Sequence, residues 1–204
     1  MYLLWEFIVD IWDVITIGIS DALRRRRSEK KTVEGYLTAT PDTLRGAVGQ
    51  DVFSIIIYRL KYILKMNLVS DIEGLMKFNA SQRIFWVANA YEQKNDGVGL
   101  CGFLVSEYGY TAPIVPWVLK ALGAEEHLRA FCEFIQDSGI DLNNMSEFDL
   151  RKLRAKKKSK VTANLKKKYS FGEFDKKYLE LQPLEELLLK FARENAEEIL
   201  AINK

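Results

Sequence analysis

Residues 92–112 run Glu92-Gln-Lys-Asn-Asp-Gly-Val-Gly-Leu-Cys-Gly-Phe-Leu-Val-Ser-Glu-Tyr-Gly-Tyr-Thr-Ala112. The stretch joins a carboxylate and a polar Asn95-Asp96-Gly97 corner to an apolar segment punctuated by Gly99, Gly102 and Gly109. Upstream, Ile84, Val87, Ala88 and Tyr91 recur at the spacing of one helix face, behind a cap at Asn79 or Ser81. Downstream, Thr111 and Pro113 stand in the cap-then-proline order that opens a helix, with Pro116 still in its first turn. Gly123 ends that helix. A second runs from Ala124 to Asp137 with Leu128, Phe131 and Ile135 facing inward, and Gly139 stops it. Within the stretch, Asn95-Asp96-Gly97 predicts a turn, with Gly97 free to take positive φ and Glu92 anchoring the turn through backbone N–H groups.

The helical period continues outward. Phe53, Ile56, Ile57, Leu60 and Leu64 form a stripe that predicts a helix from Asp51 to Met66, with a strand as the alternative because so many of its residues are β-branched. Ile72 to Lys77 reads as one helical turn. Ser146 caps a helix that runs into the following lysines, and Pro183 opens a last helix carrying Leu184, Leu187, Leu188, Phe191, Ile199 and Leu200 on or near its buried face. No alternating strand pattern and no internal repeat competes. The expected fold is all-α, a compact multi-helix bundle with an N-terminal amphipathic helix.

At 204 residues the chain is long enough for one well-buried core, and 48% hydrophobic with 28% charged residues argues against wholesale disorder. Cys101 and Cys132 make no disulfide framework and read as reduced, buried thiols, so the compartment expected is the cytoplasm. Residues 1–27 combine an apolar helix with the run Arg24 to Arg27. Glu6, Asp10, Asp13 and Asp21 fall on one side and Leu4, Ile8, Ile11, Trp12, Ile15 and Ile19 on the other. Each central Asp costs about 2.5–3.5 kcal/mol on insertion scales, which disfavours a membrane span. Docking on the chain's own body is the first reading, with a membrane-surface or partner helix as the alternative. Residues 28–50 are a linker by composition, and 51–204 form the helical domain, with a basic insert at about 151–168.

Gln82-Arg83-Ile84, Glu92, Asn95-Asp96-Gly97, Gly99-Leu100, Phe103 and Gly109-Tyr110-Thr111-Ala112 together resemble the signature of a bacterial family of helical domains of unknown function. That family includes a DNA-mimic protein that binds a transcription factor. Ala121-Leu-Gly-Ala124 matches its break between two helices, and Phe174-Asp175 with Tyr178, then Leu184 to Asn195, matches its closing helices. This chain departs from the pattern where Val98 splits the paired glycines, and where Leu100, Gly102 and Ser106 replace Phe, Gln and Asn. The resemblance implies the family's fold and a protein-binding role, with Glu92, Asn95, Asp96, Gly97 and Gly99 as its motif turn.

The net charge of +2 conceals segregation. Residues 92–150 carry ten acids against Lys94, Lys120 and Arg129, whereas 151–168 carry ten bases and no acid. Glu126, Glu133 and Asp137 share one helix face, with Glu125 beside them and Asp141 continuing it, and such a face suits a basic protein partner, of which a DNA-binding protein is one kind. Arg151, Arg154, Lys156, Lys157, Lys158, Lys160, Lys166, Lys167 and Lys168 form a strip suited to nucleic acid or an anionic membrane, to which the N-terminal helix could add. The bland alternative for both is a solvated surface, for the strip a solvated or disordered loop, and a third reading folds the strip against the chain's own acidic segment.

Catalysis finds no support. Glu92 and Asp96 lack a nucleophile or electrophilic partner, no lysine-serine pair follows the glycines, and His127 has no ligand-spaced companions, so neither cofactor nor metal is expected. His127 reads as solvated or internally bonded, and Trp86 and Trp117 as core. The function expected is a non-enzymatic module binding a basic partner through its acidic face, with polyanion binding through 151–168 as the alternative.

Overall fold

The computed structural model describes residues 33–63, 65, 71–151 and 153–202. The amphipathic helix and arginine run expected over 1–27 lie outside the described residues. The chain divides into two compact units, Met1–Ala39 and Thr40–Lys204. In the first, residues 33–37 are helical.

The second unit is all-α, and among its described residues no strand occurs. Inside the stretch read as linker, Thr40 caps a short helix, α1 (Pro41–Gly46), by accepting from the Thr43 N–H, and Leu44 is fully buried. Helix α2 (Gln50–Tyr58) passes into a π-turn over Arg59–Ile63, with Val52, Phe53, Ile55, Ile56 and Leu60 in the core. The strand alternative for this segment is thereby removed. Asp71 caps the one-turn α3 (Ile72–Leu75).

Helix α4 (Ala80–Leu104) is the central element. Asn79 and Gln82 close its N-terminus with reciprocal side-chain-to-backbone bonds, a capping box. From Ile84 to Tyr91 every residue is buried, so this part of the helix has no solvent face. It packs against the helix Val115–Ala121 and against the four helices that lie between Ala155 and Leu200.

The expected turn at Asn95-Asp96-Gly97 does not form there. Asn95 is buried and its side-chain amide donates to the Tyr91 carbonyl at 2.8 Å, one turn back along the helix, and the helix continues through Gly97. The break falls at Gly99 instead, with φ 76° and ψ 174°, a conformation open essentially to glycine alone. A side chain there would also strike the Asp175 carboxylate. Beyond the kink, Leu100, Cys101, Phe103 and Leu104 turn into the core.

Thr111 and Pro113 lie in a 3₁₀ turn, Gly109–Ile114, and the α-helix α5 (Val115–Ala121) begins only after it, with Pro116 in its first turn. Gly123, at φ 71°, reverses the chain into α6 (Glu125–Ser138), which left-handed Gly139 terminates. Ser146 caps nothing long: Asn144 caps a single 3₁₀ turn, Met145–Glu147, and the lysines belong to a separate helix, α7 (Ala155–Lys168). Helix α8 (Phe171–Leu179) follows at once. The last expected helix is two, α9 (Glu185–Glu194) and α10 (Ala196–Leu200), parted at Asn195. Gln82, buried in the capping box, donates to the carbonyls of Ile199 and Ala201, and Arg59 to that of Leu200, so the free C-terminal acceptors of α10 are satisfied from α4 and the π-turn.

Trp86 is core, but Trp117 is 42% exposed, with the Arg83 guanidinium 5.8 Å from its ring centre. Cys101 is buried, and burial pushes its thiol up to about 11, whereas Cys132 is exposed. Thiol titration of the native chain should therefore show one fast cysteine, with the second appearing only on unfolding; two fast thiols would contradict this packing. Gly99→Ala should cost at least ~2 kcal/mol. Gly97→Ala, at an open helical position, should instead stabilise by about 0.5–1 kcal/mol, and chemical denaturation of the two variants reads the opposite signs.

Candidate functional site

The kink at Gly99 and the carboxylate of Glu92 are both gripped by α8. Asp175 and Tyr178, one helical turn apart on α8, face α4. The kink interrupts the helical hydrogen-bond ladder, and Asp175 Oδ1 accepts from the Leu100 N–H at 2.9 Å. The Tyr178 hydroxyl donates to Glu92 Oε2, and the other oxygen of Glu92 accepts from the Leu184 N–H at 2.9 Å. Glu92 therefore sits at the N-terminus of α9, where the helix dipole favours a negative charge. Its role is to tie α4 to α8 and α9, not to close a local turn. Burial, together with the neighbouring Glu92 carboxylate, pushes the Tyr178 phenol far above its usual range.

A recess of about 450 Å³ opens beside this clasp. Asn89, Glu92, Gln93 and Asp96 supply one wall, and their spacing places them on a single stripe of α4. Gln50 and Phe53 of α2, His127 of α6 and the segment from Tyr178 to Leu188, including Glu185, complete it. Among the described residues that line it there are three carboxylates and no lysine or arginine. Gln93 donates to Asn89 along the stripe at 3.2 Å. His127 is buried; its Nε2 lies 2.8 Å from the Gln182 carbonyl, so that nitrogen carries the proton, and Nδ1 has no hydrogen-bond partner among the described residues. Leu179 projects at the rim, 71% exposed.

The motif residues do not converge. Glu92 and Asp96 line the recess, Asn95 points into the core, Gly97 is a solvent-facing helical position, and Gly99 is the kink.

Glu125, Glu126, Glu133 and Asp137 are all exposed on α6, but Arg129 occupies the same face one turn from three of them, and Lys177 of α8 pairs with Glu133 at 2.6 Å. That hydrogen bond holds the Glu133 carboxyl below the usual carboxylate range. Asp141 lies beyond the Gly139 stop and does not continue the helix face; its side chain closes a turn on the Asn143 N–H.

The basic strip is a regular helix flanked by its own counter-ions. Arg151 pairs with Asp149 at 2.8 Å and Lys168 with Glu147 at 2.7 Å. Lys156, Lys157, Lys160, Lys166 and Lys167 are exposed, Lys158 is half-buried and Arg154 precedes the first turn. Among the described residues no group of His, Cys, Asp and Glu could hold a metal ion, and no helix is long and apolar enough to cross a membrane.

The profile of the DMP19-like protein family matches residues 76–195, from the approach to α4 through α9. The chain belongs to the DMP19-like family. No curated protein and no solved structure matches it significantly. The DMP19-like span contains the kink, Glu92, the clasp from α8 and most of the recess, while Gln50 and Phe53 reach the recess from outside it. Sequence reasoning missed the roles of Asp175 and Tyr178 and the contribution of Asn89, Gln93 and Glu185. The readable signal was a polar stripe at positions 89, 92, 93 and 96, which helical spacing places on one side of the helix.

Two outcomes test the clasp. Glu92→Ala leaves the Tyr178 hydroxyl and the Leu184 N–H without their acceptor and should cost about 3 kcal/mol, against about 1 kcal/mol for Tyr178→Phe, with the double variant below the sum. Because the folded-state phenol is raised above its unfolded value near 10, its contribution is complete below that pH and is lost as pH rises beyond it. Tyr178→Phe should flatten the alkaline fall in stability, leaving the share of Tyr91, whose phenol burial also raises.

Proposed function

We propose that this chain is a non-enzymatic binding module that engages a basic protein partner through the acidic recess between α4 and the α8–α9 connection. The observation that carries this reading is a recess holding Glu92, Asp96 and Glu185 with no cationic side chain among the described residues that line it. Glu92 is already committed to Tyr178 and Leu184, so Asp96 and Glu185, both exposed, supply the charge that is free to meet a lysine or arginine. The exposed Leu179 at the rim offers apolar contact beside it, the pairing of anchor and polar surround found in protein interfaces. Membership of the DMP19-like family supports the same reading, since the resemblance to DNA-mimic proteins implies a partner with a basic surface. Association by such charge complementarity is fast and falls with salt.

The outer face of α6 is the second acidic surface. Arg129 and the Lys177 pair dilute it, so it ranks behind the recess. The test is retention of proteins from a native extract on the immobilised chain at low and high salt. Wild type should retain a basic protein that high salt releases. The variant Asp96→Lys/Glu185→Lys, with unchanged helical circular dichroism, should retain less than a tenth as much. Undiminished retention by that variant would refute the recess, and a loss confined to Glu126→Lys/Asp137→Lys would move the site to α6.

A further inference from the structure

We infer that α7 is a second, independent binding surface, which takes the phosphate backbone of a nucleic acid without reading its sequence. The inference goes beyond the acidic-recess reading and uses none of its residues.

Helix α7 buries one residue, Leu165, with Val161 half-buried beside it. Lys156, Lys160 and Lys167 recur at intervals of four and seven, so they form a line on the side of the helix opposite Leu165. All three are exposed, and among the described residues none has a carboxylate at ion-pair distance, in contrast to the paired Arg151 and Lys168 at the two ends of the strip. The unpaired line spans roughly 16 Å at helical rise, over which duplex DNA presents about ten charges.

The helix carries its charge against its own electrostatics. Its first turn holds lysines and no acid, and no side chain caps its N-terminus, so the positive end of the dipole meets further positive charge. Lys156 and Lys160, one turn apart, repel as well. A bound polyanion relieves both conflicts at once, which an ordinary solvated helix face would avoid by alternating the sign of its charges.

Of the polyanions, nucleic acid fits better than a lipid surface. A helix that lies in a membrane interface points a broad apolar face outward, whereas the large apolar side chains of α7, Val161 and Leu165, are half-buried and buried and only alanines are exposed. Ser159 and Asn164, both exposed, add neutral hydrogen-bond groups between the lysines, as phosphate-contacting surfaces do. The outward line contains neither arginine nor an aromatic ring, the groups that read or stack on bases, so contacts are confined to the backbone.

The experiment titrates the full-length chain against a fluorescent random-sequence DNA duplex by anisotropy over a salt series, with vesicles of phosphatidylserine and phosphatidylcholine as a parallel arm. Wild type should bind the duplex at low salt with a steep salt dependence. Lys156→Gln/Lys160→Gln/Lys167→Gln should weaken binding at least tenfold and reduce the slope of log affinity against log salt by about 2.7, which is three phosphate contacts at ~0.9 each. The corresponding Lys→Arg triple, with the same helical circular dichroism, should keep both affinity and slope. Asp96→Lys/Glu185→Lys should not weaken DNA binding, so this surface and the recess can fail separately. Absence of a complex at low salt, a Gln triple that binds like wild type, or binding to the vesicles but not to the duplex would each overturn the inference.

Discussion

The structure depends on how a buried helix is allowed to break. Helix α4 is enclosed along much of its length, so an interruption in its hydrogen-bond ladder exposes a donor that water cannot reach cheaply. At Gly99 that donor is the Leu100 N–H, and Asp175 accepts it from α8. One helical turn later Tyr178 holds Glu92, and Glu92 in turn holds the N–H of Leu184, the residue that caps the start of α9. Two adjacent side chains of α8 thus fix both the kink and the carboxylate that precedes it. The glycine spacing has the same origin: the backbone at Gly99 leaves no room for a side chain in front of the Asp175 carboxylate, and Gly109 meets the Leu104 carbonyl in the same way.

Much of this was legible where local chemistry had a single solution. Gly123 and Gly139 each end a helix as glycine does best, and of the two caps offered for α4 it is Asn79 that is used. Expectation failed where a residue had two satisfactory uses. Asn95 can close a turn or bond back along a helix, and its own burial one turn from the buried Tyr91 goes with the second. Thr40-Pro41-Asp42 is a cap, a proline and a first-turn acid in the order that starts a helix, but scattered charge around it reads as linker. The start of α7 had no cap to find, because its N-cap is Arg154 and no side chain bonds there.

The candidate site divides in the same manner. Glu92 and Asp96 stood out as carboxylates in a motif, and the stripe joining them to Asn89 and Gln93 was present in the helical spacing. Glu185 could not be placed beside them from sequence, since ninety residues of chain intervene and only the clasp brings α9 to α4. The acidic face of α6 shows the converse limit. Its carboxylates are where the period puts them, yet a tally of acids along one helix cannot see Lys177 arriving from another.

A net charge near zero is thus the sum of surfaces that are individually far from neutral, and their separation has a structural cause. Helix α8 packs against α4, α6 and α7. Its Tyr178 and Leu179 border the recess, its Lys177 offsets the acids of α6, and its N-terminus abuts the lysine helix. Moving the charges of α7 or of the recess rim alters one surface without removing a hydrogen bond of the clasp, because the exposed Lys156, Asp96 and Glu185 make none of them. Disturbing Gly99, Asp175 or Glu92 alters the seating of α8 itself, on which the recess and the lysine helix both rest. Core and surface substitutions therefore separate the two physical questions: whether the helix is held, and what the held surface can attract.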